Sequence, residues 1–155
     1  MVSWSAPGLV FAFEVLVQVG PPLELGSAVR GTRRIVPILG GTFEGPELKG
    51  RVVPGGADWQ IVQADGFSEL DTRYVLEAES GDLIYVQNRG MRHGRPEVMK
   101  RLLAGEAVDP AQVYFRTTPT FETGAVNLQW LTRSVFVGTG ERQPLKVVIQ
   151  FWRLL

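Results

Sequence analysis

Apolar and polar residues alternate with period two along most of the chain. In the first run Phe11, Phe13, Val15, Val17 and Val19 share one face of an extended segment, and Ala12, Glu14, Leu16 and Gln18 share the other. That pattern predicts a half-buried strand. Comparable runs recur at 34–39, 48–53, 59–63, 68–79, 83–88, 113–118, 131–137 and 147–153. Turn-forming groups stand between them: Gly20-Pro21-Pro22, Gly40-Gly41, Pro54-Gly55-Gly56, Asp65-Gly66, Ser80-Gly81-Asp82 and Gly138-Thr139-Gly140. Asp65-Gly66 is the cleanest hairpin signal, because both residues tolerate the positive φ that a tight hairpin turn requires. Many short strands joined by tight turns predict an all-β chain, an antiparallel sandwich or barrel.

One segment departs from period two. Pro96 suits a first helical position, Val98, Leu102 and Leu103 recur at helical spacing, and Gly105 can end the turn. One short helix is expected from Pro96 to Ala104, covering or plugging the barrel. The glycine-rich stretch from Gly40 to Trp59 invites a phosphate-loop reading, but no Lys-Ser/Thr pair at a helix start and no strand-turn-helix unit follows Gly40. Gly40-Gly41 reads instead as a bulge in a strongly curved strand, and Pro54-Gly55-Gly56 as a turn.

Length and composition narrow the picture. A chain of 155 residues is expected to form a single domain, 1–155, and to bury about 70% of its unfolded surface, enough to need no disulfide or metal. With no cysteine, thiol nucleophiles and thiolate metal sites are excluded. Sixteen basic and sixteen acidic residues cancel, so no global field draws the chain to nucleic acid or to an anionic membrane. A small organic ligand is the expected partner, with homo-oligomer formation left open. The apolar run from Leu9 to Val19 follows no basic residue and is interrupted by Glu14 and Gln18, so neither a secretory nor a membrane-spanning segment is expected and the cytoplasm is the default compartment. His93 is the one histidine, and with Glu97 as its nearest acid it makes a poor metal constellation. No metal and no cofactor are expected.

The stretches GGTFEG (40–45), PGGADW (54–59), NRGMRHG (88–94) and YFRTTPTFETG (114–124) resemble the family known as domain of unknown function 3237. The likeness runs from about Val15 to the C-terminus, with the four motifs in order. It implies a closed or nearly closed antiparallel β-barrel with an interior cavity, similar in outline to lipocalins, and it implies no particular activity. Leu39 and Thr132 stand where the family pattern has threonine and asparagine. If either lines the cavity, the ligand preference differs here.

In a barrel of about eight strands, inward positions alternate with outward ones around a space for packed side chains or one small ligand. Asp71 and Arg73 share one strand face, Tyr85, Gln87 and Arg89 another, and Tyr114, Arg116 and Thr118 a third. Alternation alone leaves open which face is inner. If these look inward, their charges need partners, which Glu44, Asp58 and Glu122 can supply. Each also has a structural reading: Arg73 and Arg116 as exposed strand arginines, Asp58 as a turn cap, Glu44 as a solvated loop acid, Glu122 as a loop acid hydrogen-bonded to backbone, His93 as a structural or solvated loop histidine. Two or three of Trp59, Tyr85, Tyr114, Phe115, Trp130 and Phe136 are expected to line the cavity.

Two function classes follow. The first is a small-molecule-binding barrel for an organic acid, phenol or polyketide-like ligand, held by Arg73, Asp71, Tyr85, Arg89, Arg116, Glu122 and Trp130. The alternative is a cofactor-free lyase, isomerase or cyclase, with Arg73 or Arg116 stabilising an enolate and Glu44, Asp58 or His93 moving a proton. An interaction domain with a filled core is the weaker third reading. No G-x-S-x-G elbow surrounds any serine, which argues against a serine hydrolase.

Overall fold

A computed structural model describes residues 4–155. Among these residues nine strands are all paired antiparallel: β1 (Leu9–Val19), β2 (Leu23–Ala28), β3 (Gly31–Glu44), β4 (Lys49–Val62), β5 (Ser68–Ala78), β6 (Leu83–Gly94), β7 (Val113–Glu122), β8 (Phe136–Arg142) and β9 (Lys146–Leu154). Their order is β1-β9-β8-β7-β6-β5-β4-β3-β2, and β1 also pairs with β3. That second pairing closes eight strands into a barrel and leaves β2 as an extra strand along the first part of β3. Helix α1 (Pro96–Leu103) links β6 to β7, and the four-residue α2 (Gln129–Thr132) precedes β8. The short helix expected at Pro96 is present, and its Val98, Met99 and Leu102 are buried. Among the described residues no helix is long and apolar enough to cross a membrane.

The glycine motifs shape strands more often than they end them. Gly40 and Gly41 lie inside β3 with φ of 149° and 138°, where the β3/β4 register shifts; a Cβ at Gly41 would run into the Leu16 carbonyl of β1. Only glycine lets the two backbones meet there. Pro54-Gly55-Gly56 is not a turn: it is a bulge within the continuous β4, with the β4/β5 register shifting between Val53 and Ala57. Gly138-Thr139-Gly140 likewise lies inside β8, where the missing side chains make room for Thr117 and the Phe115 ring. Segment 131–137 is part helix, since Leu131 packs from α2 and the strand starts at Phe136. A bulge between Phe11 and Phe13 turns Phe11 out of the expected inner row, edge-on to Trp152 at 5.4 Å.

The barrel interior divides lengthwise. Toward the β1 start and the β9 end, Phe13, Phe43, Phe121, Phe136 and Phe151 pack edge to face, with centroids 5.1–5.9 Å apart. Leu128 and Leu131 close this end. Toward the opposite end the same inner rows turn polar.

Candidate functional site

The polar end is assembled from six strands. The β4 bulge sets the register that aims Asp58 and Gln60 inward. On β5, Thr72 and Tyr74 continue the inner row that deeper in holds Leu76. On β6, Asn88 and Arg92 continue the row of Ile84 and Val86, and Phe115 and Thr117 come from β7. Arg142 ends β8, and Arg34 stands near the start of β3. With Val17, Val36, Ile38 and Ile149 as apolar walls, these groups other than Arg34 enclose a cavity of about 40 Å³. That is room for about three waters or the charged end of a small organic acid.

The polar atoms around this cavity are left short of partners. Asp58 Oδ2 accepts a hydrogen bond from Gln60 Nε2 at 2.7 Å, but Oδ1 is shielded from solvent and accepts none. Gln60 Oε1, Tyr74 OH, Asn88 Oδ1, Arg92 Nε and Thr117 Oγ1 are buried and equally unpartnered. Arg92 is 3% exposed, with its guanidinium over the Phe115 ring at 5.6 Å. Arg34 is turned aside: it donates to the Leu103 carbonyl at the end of α1 at 3.1 Å and lies 3.8 Å from Glu24. Buried polar groups are normally satisfied, so this concentration at one cavity marks a place shaped for something else.

The charges are also unbalanced. Burial pushes the Asp58 carboxyl above its ordinary 3.8, opposed by the Gln60 hydrogen bond, the Arg92 charge and weaker polar contacts with the Thr72 hydroxyl and the Asp71 backbone. Burial pulls Arg92 down to about 10, so it stays cationic at neutral pH. Burial, and then the charge of Arg34, lower Arg142 as well. With the Arg34–Glu24 pair set aside, two guanidiniums face one carboxylate, a net charge of +1 in a largely enclosed space. The arrangement suits an anion; Asp58 is the one carboxylate beside it that can hold or release a proton.

Of the charged, histidine and ligand-binding candidates singled out from sequence, Asp58 lines this cavity and the others lie elsewhere. Asp71, Arg73, Tyr85 and Arg89 share the outer face: Arg73 Nη2 donates to Asp71 Oδ2 at 3.1 Å, and Arg89 Nε lies 3.8 Å from Asp71 Oδ1. Arg116 is also outside, its guanidinium over the Tyr114 ring at 5.1 Å and donating to its neighbour's Phe115 carbonyl at 2.9 Å. Glu44 and Glu122 end β3 and β7 and are exposed. His93 is on a strand and not a loop, stacked between Phe67 and Tyr114 on the outer face. Trp130 sits in α2 against Phe136, under Arg153. The expectation that Arg73 and Arg116 share the cavity is therefore corrected, because on β5 and β7 the inner face is the one carrying Leu70, Tyr74, Leu76, Phe115 and Phe121. Of the six aromatics considered, Phe115 lines the cavity. Leu39 and Thr132 are exposed and do not.

Sequence reasoning missed Tyr74, Asn88, Arg92, Thr117 and Arg142. A signal for two of them was present: Asn88 and Arg92 fall in step with Ile84 and Val86, on the apolar face of their strand.

The sequence profile of a family described as a protein of unknown function, DUF3237, matches residues 7–154. A UPF0311 protein of Rhodopseudomonas palustris strain TIE-1 is 41% identical over 145 residues, covering 94% of this chain and 95% of the relative. A crystal structure from Acinetobacter baumannii AYE, described as a beta-barrel like protein, superposes with a TM-score of 0.84 at 42% identity over 99% of this chain and 100% of the other. A crystal structure described as an enzyme from Penicillium herquei shares the fold at a TM-score of 0.74 and 20% identity, over 100% of this chain and 99% of the other. The chain belongs to the DUF3237 family.

Proposed function

We propose that this barrel binds a compact organic anion, a carboxylate or a phenolate, in the polar end of its interior. The observation that carries the reading is the set of buried, unpartnered groups from Asp58, Tyr74, Asn88, Arg92 and Thr117 converging on one cavity with excess positive charge. Arg92 and Arg142 supply charge, Tyr74 and Thr117 supply hydroxyl donors, and Phe115 with the valine and isoleucine walls excludes water. A cavity of about 40 Å³ takes the carboxylate or phenolate end of a small acid, or the head of a polyketide-sized molecule.

A second reading rests on Asp58 itself. A carboxyl raised by burial beside a guanidinium is suited to taking a proton from a carbon or hydroxyl acid while Arg92 stabilises the resulting oxyanion. This is the cofactor-free lyase, isomerase or cyclase alternative, and the neighbour described as an enzyme is compatible with it but shares only the fold.

Calorimetry with acetate, pyruvate, benzoate and 4-hydroxybenzoate tests binding. At least one is expected to bind wild type and to lose affinity in Arg92→Met, while Arg73→Ala keeps it. Equal affinity in all three proteins overturns the interior site. Deuterium exchange at the pyruvate methyl, accelerated by wild type and not by Asp58→Asn, would favour catalysis over carriage.

A further inference from the structure

The barrel wall is not equally closed all round. β5 and β6 register at ten pairs and β6 and β7 at ten, whereas β7 and β8 meet at two, Arg116–Thr139 and Thr117–Gly138. Outside this seam lies a groove of about 650 Å³, lined by Leu9, Met91, Tyr114, Val137 and Trp152 with Arg116 at its side. Thr117 lines both this outer groove and the interior cavity, so one residue separates them. Opposite it, Gly138 has no side chain: a Cβ there would strike Thr117 Oγ1, which fills the gap from within. That Oγ1 is buried and makes no hydrogen bond, so nothing polar holds it in place.

We propose that the β7/β8 seam is the door of the interior site and that the outer groove is its vestibule, receiving an aromatic carboxylate or phenolate whose charged head then passes between Thr117 and Gly138. The inference rests on the interior-anion reading and adds the route. The cavity is largely enclosed, so a ligand larger than a few waters needs part of the wall to move, and the part with fewest paired residues opens at the lowest free energy. The groove fits the same chemistry as the cavity. Tyr114 and Trp152 offer aromatic faces, and the Arg116 guanidinium is occupied only by a ring and one carbonyl. An incoming anion meets a cation outside, two guanidiniums inside, and a short apolar passage between.

The chain has no cysteine, so a staple across the seam is a clean test. Thr118→Cys with Val137→Cys puts two thiols on the groove one step beyond the last paired residues, Thr117–Gly138, and loss of free thiol confirms the disulfide before rates are read. Gln87→Cys with Thr120→Cys, an outward registered pair across β6/β7, is the control. Benzoate association and dissociation are followed by NMR exchange in oxidised and reduced protein. The seam staple is expected to slow both rates by about tenfold or more with Kd nearly unchanged, reduction to restore them, and the control staple to do nothing. Binding with unchanged rates, or equal slowing by both staples, overturns the door and leaves the interior site standing. Absence of benzoate binding to wild type and to every other acid of the calorimetric panel overturns both. Amide exchange gives a reading independent of the staple: the Thr118 and Thr139 amides should exchange about a hundredfold faster than Tyr74 and Val86, and equal protection counts against a seam that parts.

Discussion

The two halves of the barrel interior are built by the same strands on the same alternation, yet they do opposite things. At one end Phe13, Phe43, Phe121, Phe136 and Phe151 fill the space edge to face. At the other, Asp58, Arg92 and Arg142 surround an unfilled cavity with polar atoms that lack partners. The aromatic half lowers the free energy of the fold; the polar half raises it, a cost that the proposed anion would offset. A core made entirely like the first would be more stable and would bind nothing.

The largest test of that contrast is truncation in the aromatic half. Phe13 and Phe151 are 0% exposed, so either one changed to alanine should cost about 3–5 kcal/mol of unfolding free energy. Chemical denaturation measures it, and anion affinity among the molecules that stay folded should be unchanged. A cost below about 1 kcal/mol would mean that this half is not the structural one.

Arg92→Met should invert the pattern. It removes a desolvated cation whose Nε has no partner, and it keeps the unbranched bulk over Phe115. Affinity for a carboxylate should fall by about 2 kcal/mol, the worth of a hydrogen bond to a charged group, while stability stays level or rises by about 1 kcal/mol. A loss of stability as large as that for Phe13→Ala would erase the difference between the halves.

The same contrast explains what the sequence could and could not tell. Strand alternation was legible, and so were the helix at Pro96 and the Gly40-Gly41 bulge, because period, proline and paired glycine act locally. The inner face was not assigned, because period two is symmetric and the charged residues drew the eye to the wrong side. On β5 the choice lay between Leu70, Thr72, Tyr74, Leu76 and Ala78 on one face and Glu69, Asp71, Arg73, Val75 and Glu77 on the other. Apolar weight decides it, and the same weighing on β6 carries Asn88 and Arg92 inward. Arg142 was hidden for another reason: Gly138 and Gly140 leave its strand without an apolar row to read. Pro54-Gly55-Gly56 reads as a turn because a bulge uses the same residues, and only the pairing of Ala57 with Arg73 tells the two apart.

The finest test sets two carboxylates of adjacent strands against each other. Burial raises Asp58, so folded protein binds a proton there more readily than unfolded protein, and the stability difference between wild type and Asp58→Asn should fall as pH rises from about 3.8 through the raised folded value. Asp71 is on the outer face. What burial it has pushes its carboxyl up, but hydrogen bonds from Arg73 and Gln87, with the charges of Arg73 and Arg89, outweigh this and leave it below the ordinary value. Its contribution is therefore present above 3.8 and lost as pH falls through the depressed value, so the wild-type minus Asp71→Asn difference should rise with pH. The Asp71 effect should also be the smaller, no more than about 0.5 kcal/mol, because its partners Arg73 and Arg89 are solvated and screened. Unfolding midpoints between pH 2 and pH 8 for the three proteins, at low and high salt, measure both slopes. Salt should flatten the Asp71 slope and spare that of Asp58. If the two slopes share a sign, Asp58 is held charged by Arg92 against its burial, and the polar end is a closed ion-pair network that needs no ligand to satisfy it.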